Sequence, residues 1–133
     1  MGEKGRILLA DDDPDVQRAV LRVAAQVGYE IIQATTGADV ERITIEVRPD
    51  LVVLDIRFPD ADGRDVLARL KANQATAEIP VLIWSGGDAE SDRRIAIDLG
   101  AEDYVEKADA GTLLKKIERV LYRLTSERSA RSA

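Results

Sequence analysis

The sequence predicts an α/β fold: a doubly wound, five-stranded parallel sheet with helices on both faces. Five short apolar or β-branched runs alternate with helix-length amphipathic stretches, as a parallel sheet with crossover helices requires. The clearest run, Leu51-Val52-Val53-Leu54, is apolar throughout, which suits a strand covered on both faces rather than one. No period of about 20 to 50 residues recurs, so a repeat architecture is excluded.

Each element has its own signal. Arg6-Ile7-Leu8-Leu9-Ala10 reads as the first strand. Pro14 to Val27 follows as a helix, with Val16, Ala19, Val20, Val23, Ala24 and Val27 at helical spacing. Asp13 is its cap, Pro14 its first residue and Gly28 its stop. Tyr29 to Ala34 is the second strand, and Gly37 to Val47 the second helix, closed before Pro49. The third strand, Leu51 to Leu54, ends in Asp55, and a loop with Pro59 and Gly63 leads to a helix near Arg64 to Ala72. Pro80 to Trp84 is the fourth strand, ending in Ser85-Gly86-Gly87, and the next helix runs near Glu90 to Leu99 and stops at Gly100. Asp103 to Glu106 is a shorter fifth strand, followed by Lys107. The last helix runs near Thr112 to Leu124, with Leu113, Leu114, Ile117, Val120, Leu121 and Leu124 inward; 125–133 reads as a loose polar tail. Right-handed crossovers leave few topologies for this pattern, and the flavodoxin-like strand order 2-1-3-4-5 fits the length best.

Composition narrows the chemistry. A chain of 133 residues, 45% hydrophobic and 33% charged, is one globular domain. No apolar stretch approaches the roughly 18 residues of a membrane span, and Met1 to Arg6 lacks the apolar block of a secretion signal, so a cytoplasmic protein is expected. Nineteen Lys and Arg against 25 Asp and Glu leave a net charge of −6, which argues against direct nucleic-acid binding by this chain. Without cysteine there is no disulfide, thiolate nucleophile or Cys-ligated zinc; without histidine there is no imidazole base and no Ser-His-Asp triad. Carboxylates, lysines, hydroxyls and a hard metal ion remain.

The polar residues gather where the strands end. Asp11 and Asp12 follow the first strand, Asp55 the third, Ser85 ends the fourth, and Lys107 follows the fifth. In the order 2-1-3-4-5 the first, third and fourth strands are neighbours, so three carboxylates share one cleft at the edge where such folds bind ligands. Crowded like charges resist ionisation and call for a cation; an all-oxygen donor set completed by waters suits Mg²⁺. Each residue also has a plain reading. Asp13 and Asp15 offset a helix dipole. Asp55 marks the exit of a buried strand, Ser85 beside glycines is ordinary turn chemistry, and Lys107 is a solvated strand-end lysine.

Taken together, these residues resemble the receiver domain of two-component response regulators. The resemblance covers about Arg6 to Leu124, and rests on Asp11-Asp12, on Asp55-Ile56-Arg57-Phe58-Pro59-Asp60-Ala61-Asp62-Gly63, on Ser85 with Gly86, and on Gly100 through Lys107. It implies a receiver domain over 1–124 with the polar tail 125–133. It further implies Asp55 as the phosphoryl acceptor, and Asp12, Asp55 and the backbone carbonyl of Arg57 as Mg²⁺ ligands, with Asp11 acting through metal-bound water. Ser85 resembles the switch hydroxyl, Lys107 the lysine that pairs with the phosphoryl group, and Tyr104 the aromatic switch residue. The implied donor is a phosphohistidine of a sensor histidine kinase or histidine phosphotransfer protein, and the implied output is an unknown downstream protein target. The family also suggests a docking or homodimer surface of the fourth helix, fifth strand and fifth helix, where Lys115, Lys116, Arg119 and Arg123 form a basic stripe; most such stripes are simply solvated.

The sequence departs from the family in places. Ala108 stands where proline usually follows the lysine. A cis non-proline bond costs about 3–4 kcal/mol, so a trans Lys107–Ala108 bond and a reshaped loop are expected. Phe58 replaces the usual methionine. Trp84 reads as a core residue, or as a partner-surface residue or reporter of the switch. Arg57 reads either as an exposed loop arginine or as a shield over the phosphoryl group.

Other classes fit less well. A haloacid-dehalogenase-type phosphatase also uses an aspartate nucleophile, but places it after the first strand with a second Asp two positions on, where this chain has Arg57. A flavodoxin needs phosphate-binding amides after the first strand, where Asp11-Asp12-Asp13-Pro14 repels phosphate. A degenerate receiver used only for docking would not need Asp12, Asp55, Ser85 and Lys107 together. The expectation is a switch, not an enzyme, catalysing only its own phosphorylation and dephosphorylation. No output domain fits in 125–133, so output is protein contact or lies in a longer parent protein.

Overall fold

The computed structural model describes residues 4–86, 89–107 and 109–132. Strands and helices alternate as β1 (Gly5–Ala10), α1 (Pro14–Val27), β2 (Tyr29–Ala34), α2 (Gly37–Val47), β3 (Leu51–Leu54), α3 (Gly63–Ala72), β4 (Val81–Ser85), α4 (Ala89–Asp98), β5 (Asp103–Glu106) and α5 (Ala110–Ser132). All pairings in the five-stranded sheet are parallel, in the order β2-β1-β3-β4-β5, as expected. Strand alternation divides the core in two. Leu8, Val52, Leu54, Val81 and Ile83 face α2, α3 and α4 through Val40, Val66, Leu67, Leu70 and Ala96. Ile7, Leu9, Leu51, Val53, Leu82 and Trp84 face α1 and α5 through Val20, Ala24, Leu113, Ile117 and Val120. Both faces of β3 are therefore covered, which is why that strand has no polar position.

The punctuation works as the residue types require. The Asp13 carboxylate accepts from the Asp15 amide, Pro14 opens α1, and Gly28 closes it at φ 93° in the left-handed region. The α2 helix closes instead on Arg48, a non-glycine residue at φ 50°, with Pro49 barring further helix.

The C-terminal segment differs from expectation. Residues 125–132, read as a loose tail, continue α5 to Ser132, and the helix begins at Ala110 rather than near Thr112. No Gly or Pro follows Gly111, and extending a formed helix adds a hydrogen bond for each residue fixed, so nothing stops α5 at Leu124. The side chains of 125–131 are exposed, so that extension is polar but not loose coil. The expected trans Lys107–Ala108 bond and Gly87 of the turn after β4 fall on residues outside those described.

Candidate functional site

Parallel register brings the predicted residues together. Ala10 pairs with Leu54, and the Asp55 amide donates to the Ala10 carbonyl at 2.9 Å, so Asp11 and Asp55 leave the sheet side by side. Ser85 pairs with Glu106, and the Lys107 amide donates to the Ser85 carbonyl at 2.9 Å, which brings Lys107 to the same edge. One carboxylate oxygen from each of Asp11, Asp12 and Asp55 lies within 4.8 Å of the others. Asp11 and Asp55 are buried, at 1% and 6% exposure, and Asp12 is open to solvent.

Lys107 lies across the two buried carboxylates. Its Nζ is 2.7 Å from Asp11 Oδ2 and 3.1 Å from Asp55 Oδ2. Burial raises the Asp55 carboxyl above its ordinary range; the Lys107 hydrogen bond and charge pull it back only in part, and the Asp11 charge pushes the same way as burial. Burial pulls the Lys107 ammonium down, but Asp11 and Asp55 outweigh it, so its pKa ends above the ordinary value. Three carboxylates thus face one ammonium, which leaves an excess of negative charge. Hard oxygen donors, their close approach and that excess all fit a divalent cation of the Mg²⁺ type; Asp12, open to solvent, leaves room for metal-bound water.

The other predicted residues lie on β4, β5, α5 and the loop after β3. Ser85 is 2% exposed at the end of β4, and Tyr104 is 5% exposed in β5 with its ring among the α2–α4 core residues. Arg57 is exposed, and its amide donates weakly to Asp55 Oδ1 at 3.4 Å. Trp84 is 3% exposed in the α1–α5 core, which matches its plain core reading. On the basic stripe, Lys116 pairs with Asp103 at 2.7 Å and Arg123 with Glu102 at 3.3 Å, so part of that charge is spent within the chain.

Sequence reasoning passed over two supports of the site. Asp60, in the loop after Asp55, accepts from the Gly37 and Ala38 amides at 2.8 and 3.1 Å, tying that loop to the start of α2. Gln17 is buried behind the Asp11–Asp12 limb. Its signal was available: three residues before Val20 and seven before Ala24, it is a polar residue on the buried line of α1.

The chain resembles known proteins along most of its length. It is 44% identical over 102 residues to the transcriptional regulatory protein KdpE of Mycobacterium tuberculosis, a match covering 76% of this chain and 43% of that one. The chain spans about half the length of the curated relatives it matches. In structure it resembles the signal receiver domain of a Luxo repressor protein from Vibrio parahaemolyticus, with TM-score 0.85 and 27% identity, covering 95% of this chain and 96% of that one. It also resembles the Mn²⁺-bound form of response regulator Rcp1, with TM-score 0.76 and 27% identity, covering 87% of this chain and 91% of that one. Residues 7–118 match the family model of the response regulator receiver domain, and this chain, with its acidic cleft at the strand ends, belongs to that family of two-component signalling proteins.

Proposed function

We propose that this chain is a switch that accepts a phosphoryl group on Asp55. The observation that carries the reading is the convergence of Asp11, Asp12, Asp55 and Lys107 at one sheet edge. One Asp55 carboxylate oxygen forms a bond to phosphorus as the P–N bond of a phosphohistidine breaks, and the imidazole leaves with the bond pair and takes up a proton. The residues of this chain include no histidine, so the phosphohistidine is presented from outside them, by a sensor histidine kinase or a histidine phosphotransfer protein. Asp12, Asp55 and the Arg57 carbonyl would hold Mg²⁺ directly, and Asp11 through water. Bound there, that ion would neutralise part of the charge on the phosphoryl oxygens. The likeness to response regulator Rcp1, which was crystallised in a Mn²⁺-bound form, supports a divalent cation in this chain.

Lys107 is the second cation of the site. On phosphorylation its ammonium turns from two carboxylates to the phosphoryl oxygens, Ser85 adds a hydrogen bond, and Tyr104 changes its exposure. About two negative charges added beside Asp11 and Asp12 bias this loop-and-ring equilibrium toward the second state. The chain turns over no other substrate: it catalyses its own phosphorylation and dephosphorylation, works in the cytoplasm, and signals through a protein target or a linked output domain. The 1–124 portion carries all of this, and the 125–133 segment carries none.

Intact-mass measurement after incubation with acetyl phosphate and Mg²⁺ tests the reading. The expected result is one phosphoryl adduct in the wild type, lost in Asp55→Asn and lost on chelating the metal. An unmodified wild type would favour a docking-only receiver, and labelling that persists in Asp55→Asn would move the acceptor elsewhere.

A further inference from the structure

Gln17 lies in the first turns of α1 and is only 4% exposed. Its Nε2 donates to the Asp11 carbonyl at 3.0 Å, to the Leu9 carbonyl at 3.1 Å and, at a longer 3.4 Å, to the Ala34 carbonyl. These oxygens belong to the ends of β1 and β2 and to the first residue beyond β1, where the strands stop and the chain turns away. The amide orientation follows from chemistry: three acceptors converge on one end, and an oxygen placed there would face three like dipoles. Gln17 Oε1 is buried and has no hydrogen-bond partner among the described residues. A leucine or methionine would fill the same volume without that cost, so the side chain is present for its donors.

What those donors hold is Asp11. The Asp11 amide donates to the Ala34 carbonyl at 3.0 Å, while its own carbonyl accepts from Gln17. Asp11 Oδ1 accepts from the Asp13 amide at 2.9 Å, which leaves Oδ2 facing Lys107 and the carboxylate cluster. Backbone and side chain of Asp11 are therefore fixed together, and Asp12 leaves from the same fixed peptide. We propose that Gln17 is a positioning residue for the cation site: without touching the ion, it aims the Asp11–Asp12 limb and so sets the affinity for a divalent cation. The inference rests on the reading of Asp11, Asp12 and Asp55 as that site. Groups behind metal ligands typically contribute about 10- to 100-fold in affinity.

The test uses the full 133-residue chain with Gln17→Met, which keeps volume and loses the donors, and Gln17→Asn, which keeps the amide but is one methylene too short. In metal-free buffer, hydrogen exchange read by NMR should quicken at the Asp11 and Asp13 amides and stay unchanged in α3 and α4. A Mn²⁺ titration followed by electron paramagnetic resonance should show affinity reduced about 10-fold in both variants. Labelling by acetyl phosphate should require a higher Mg²⁺ concentration in both variants, in step with the weaker Mn²⁺ binding. If Gln17→Met does not fold, Gln17→Asn carries the comparison. Wild-type Mn²⁺ affinity in a folded variant overturns the proposal, as does exchange that quickens evenly across the sheet. A wild type that binds no Mn²⁺ overturns the cation-site reading and this proposal together; a loss confined to the variants leaves both standing.

Discussion

Asp55 is held in a place that disfavours its own charge. It leaves β3 between two apolar layers, and burial together with Asp11 raises its pKa despite Lys107. For an acid shifted this way, the stabilising contribution is full below the unfolded pKa and lost as pH rises through the folded one. Ionised Asp55 therefore destabilises the metal-free fold at neutral pH, a cost that a bound cation, under the proposed function, would relieve. Asp55→Asn should raise the urea midpoint in chelator near pH 7 and differ little from wild type near about pH 3, where the unfolded carboxyl, and the folded one shifted above it, are largely protonated. Equal midpoints at both pH values would show that Lys107 already compensates the charge in full. Ser85 and Tyr104 are both buried, and a switch built on them moves residues that pack as core.

Among the elements, the loop from β3 to α3, which starts at Asp55, is held from both sides. A Cβ built on Gly63 would lie 2.2 Å from the Asp55 carbonyl oxygen and 2.6 Å from Ile56 Cα. Both neighbours are backbone, so neither can turn aside. Gly63→Ala should lower stability by about 3 kcal/mol, the upper end of overpacking costs, and should slow phosphorylation by shifting Asp55. Urea unfolding and the acetyl phosphate reaction read the two effects; a variant normal in both would mean that α3 slides freely on β3. The Asp60 carboxylate secures the other side of the loop by capping the Gly37 and Ala38 amides. The α5 helix shows the opposite case. Over 125–131 its side chains are exposed, and the helix persists there by local hydrogen bonding.

For the molecule as a whole, carboxylates set the pH range of stability. Asp60 is held low by the α2 amides and Asp62 by Arg64. Burial pushes Asp103 up, but Lys116, the Tyr104 amide and Arg93 outweigh it, so it too ends below the ordinary range. For acids shifted down, the stabilisation is full above the unfolded pKa and lost as pH falls through the folded one. Acid should therefore unfold the protein as these groups protonate, in the opposite sense to Asp55. Asp103→Asn should be less stable than wild type near neutral pH, with the gap closing as pH falls below the ordinary carboxylate range and Asp103 protonates in the folded state. Thermal unfolding across that range checks it, and a gap constant with pH would assign the loss to packing rather than charge.

Much of this was legible before any coordinates. Patterned apolar runs identify the five strands, because a strand covered on both faces has no room for a polar side chain, as Leu51 to Leu54 shows. Asp13-Pro14 and Gly28 bound α1 because capping is local chemistry. Asp11, Asp12, Asp55, Ser85 and Lys107 are recognisable because strand ends are where a parallel sheet places its chemistry. Local signals could not say that Lys107 bridges Asp11 to Asp55, that Asp60 caps a helix more than twenty residues earlier, or that Gln17 reaches three carbonyls beside the cluster. Those contacts join residues far apart in the chain, and only the packing of the strands brings their atoms within hydrogen-bond reach. The length of α5 was missed for the reverse reason: a polar helix without a stop signal looks, in sequence, like a tail.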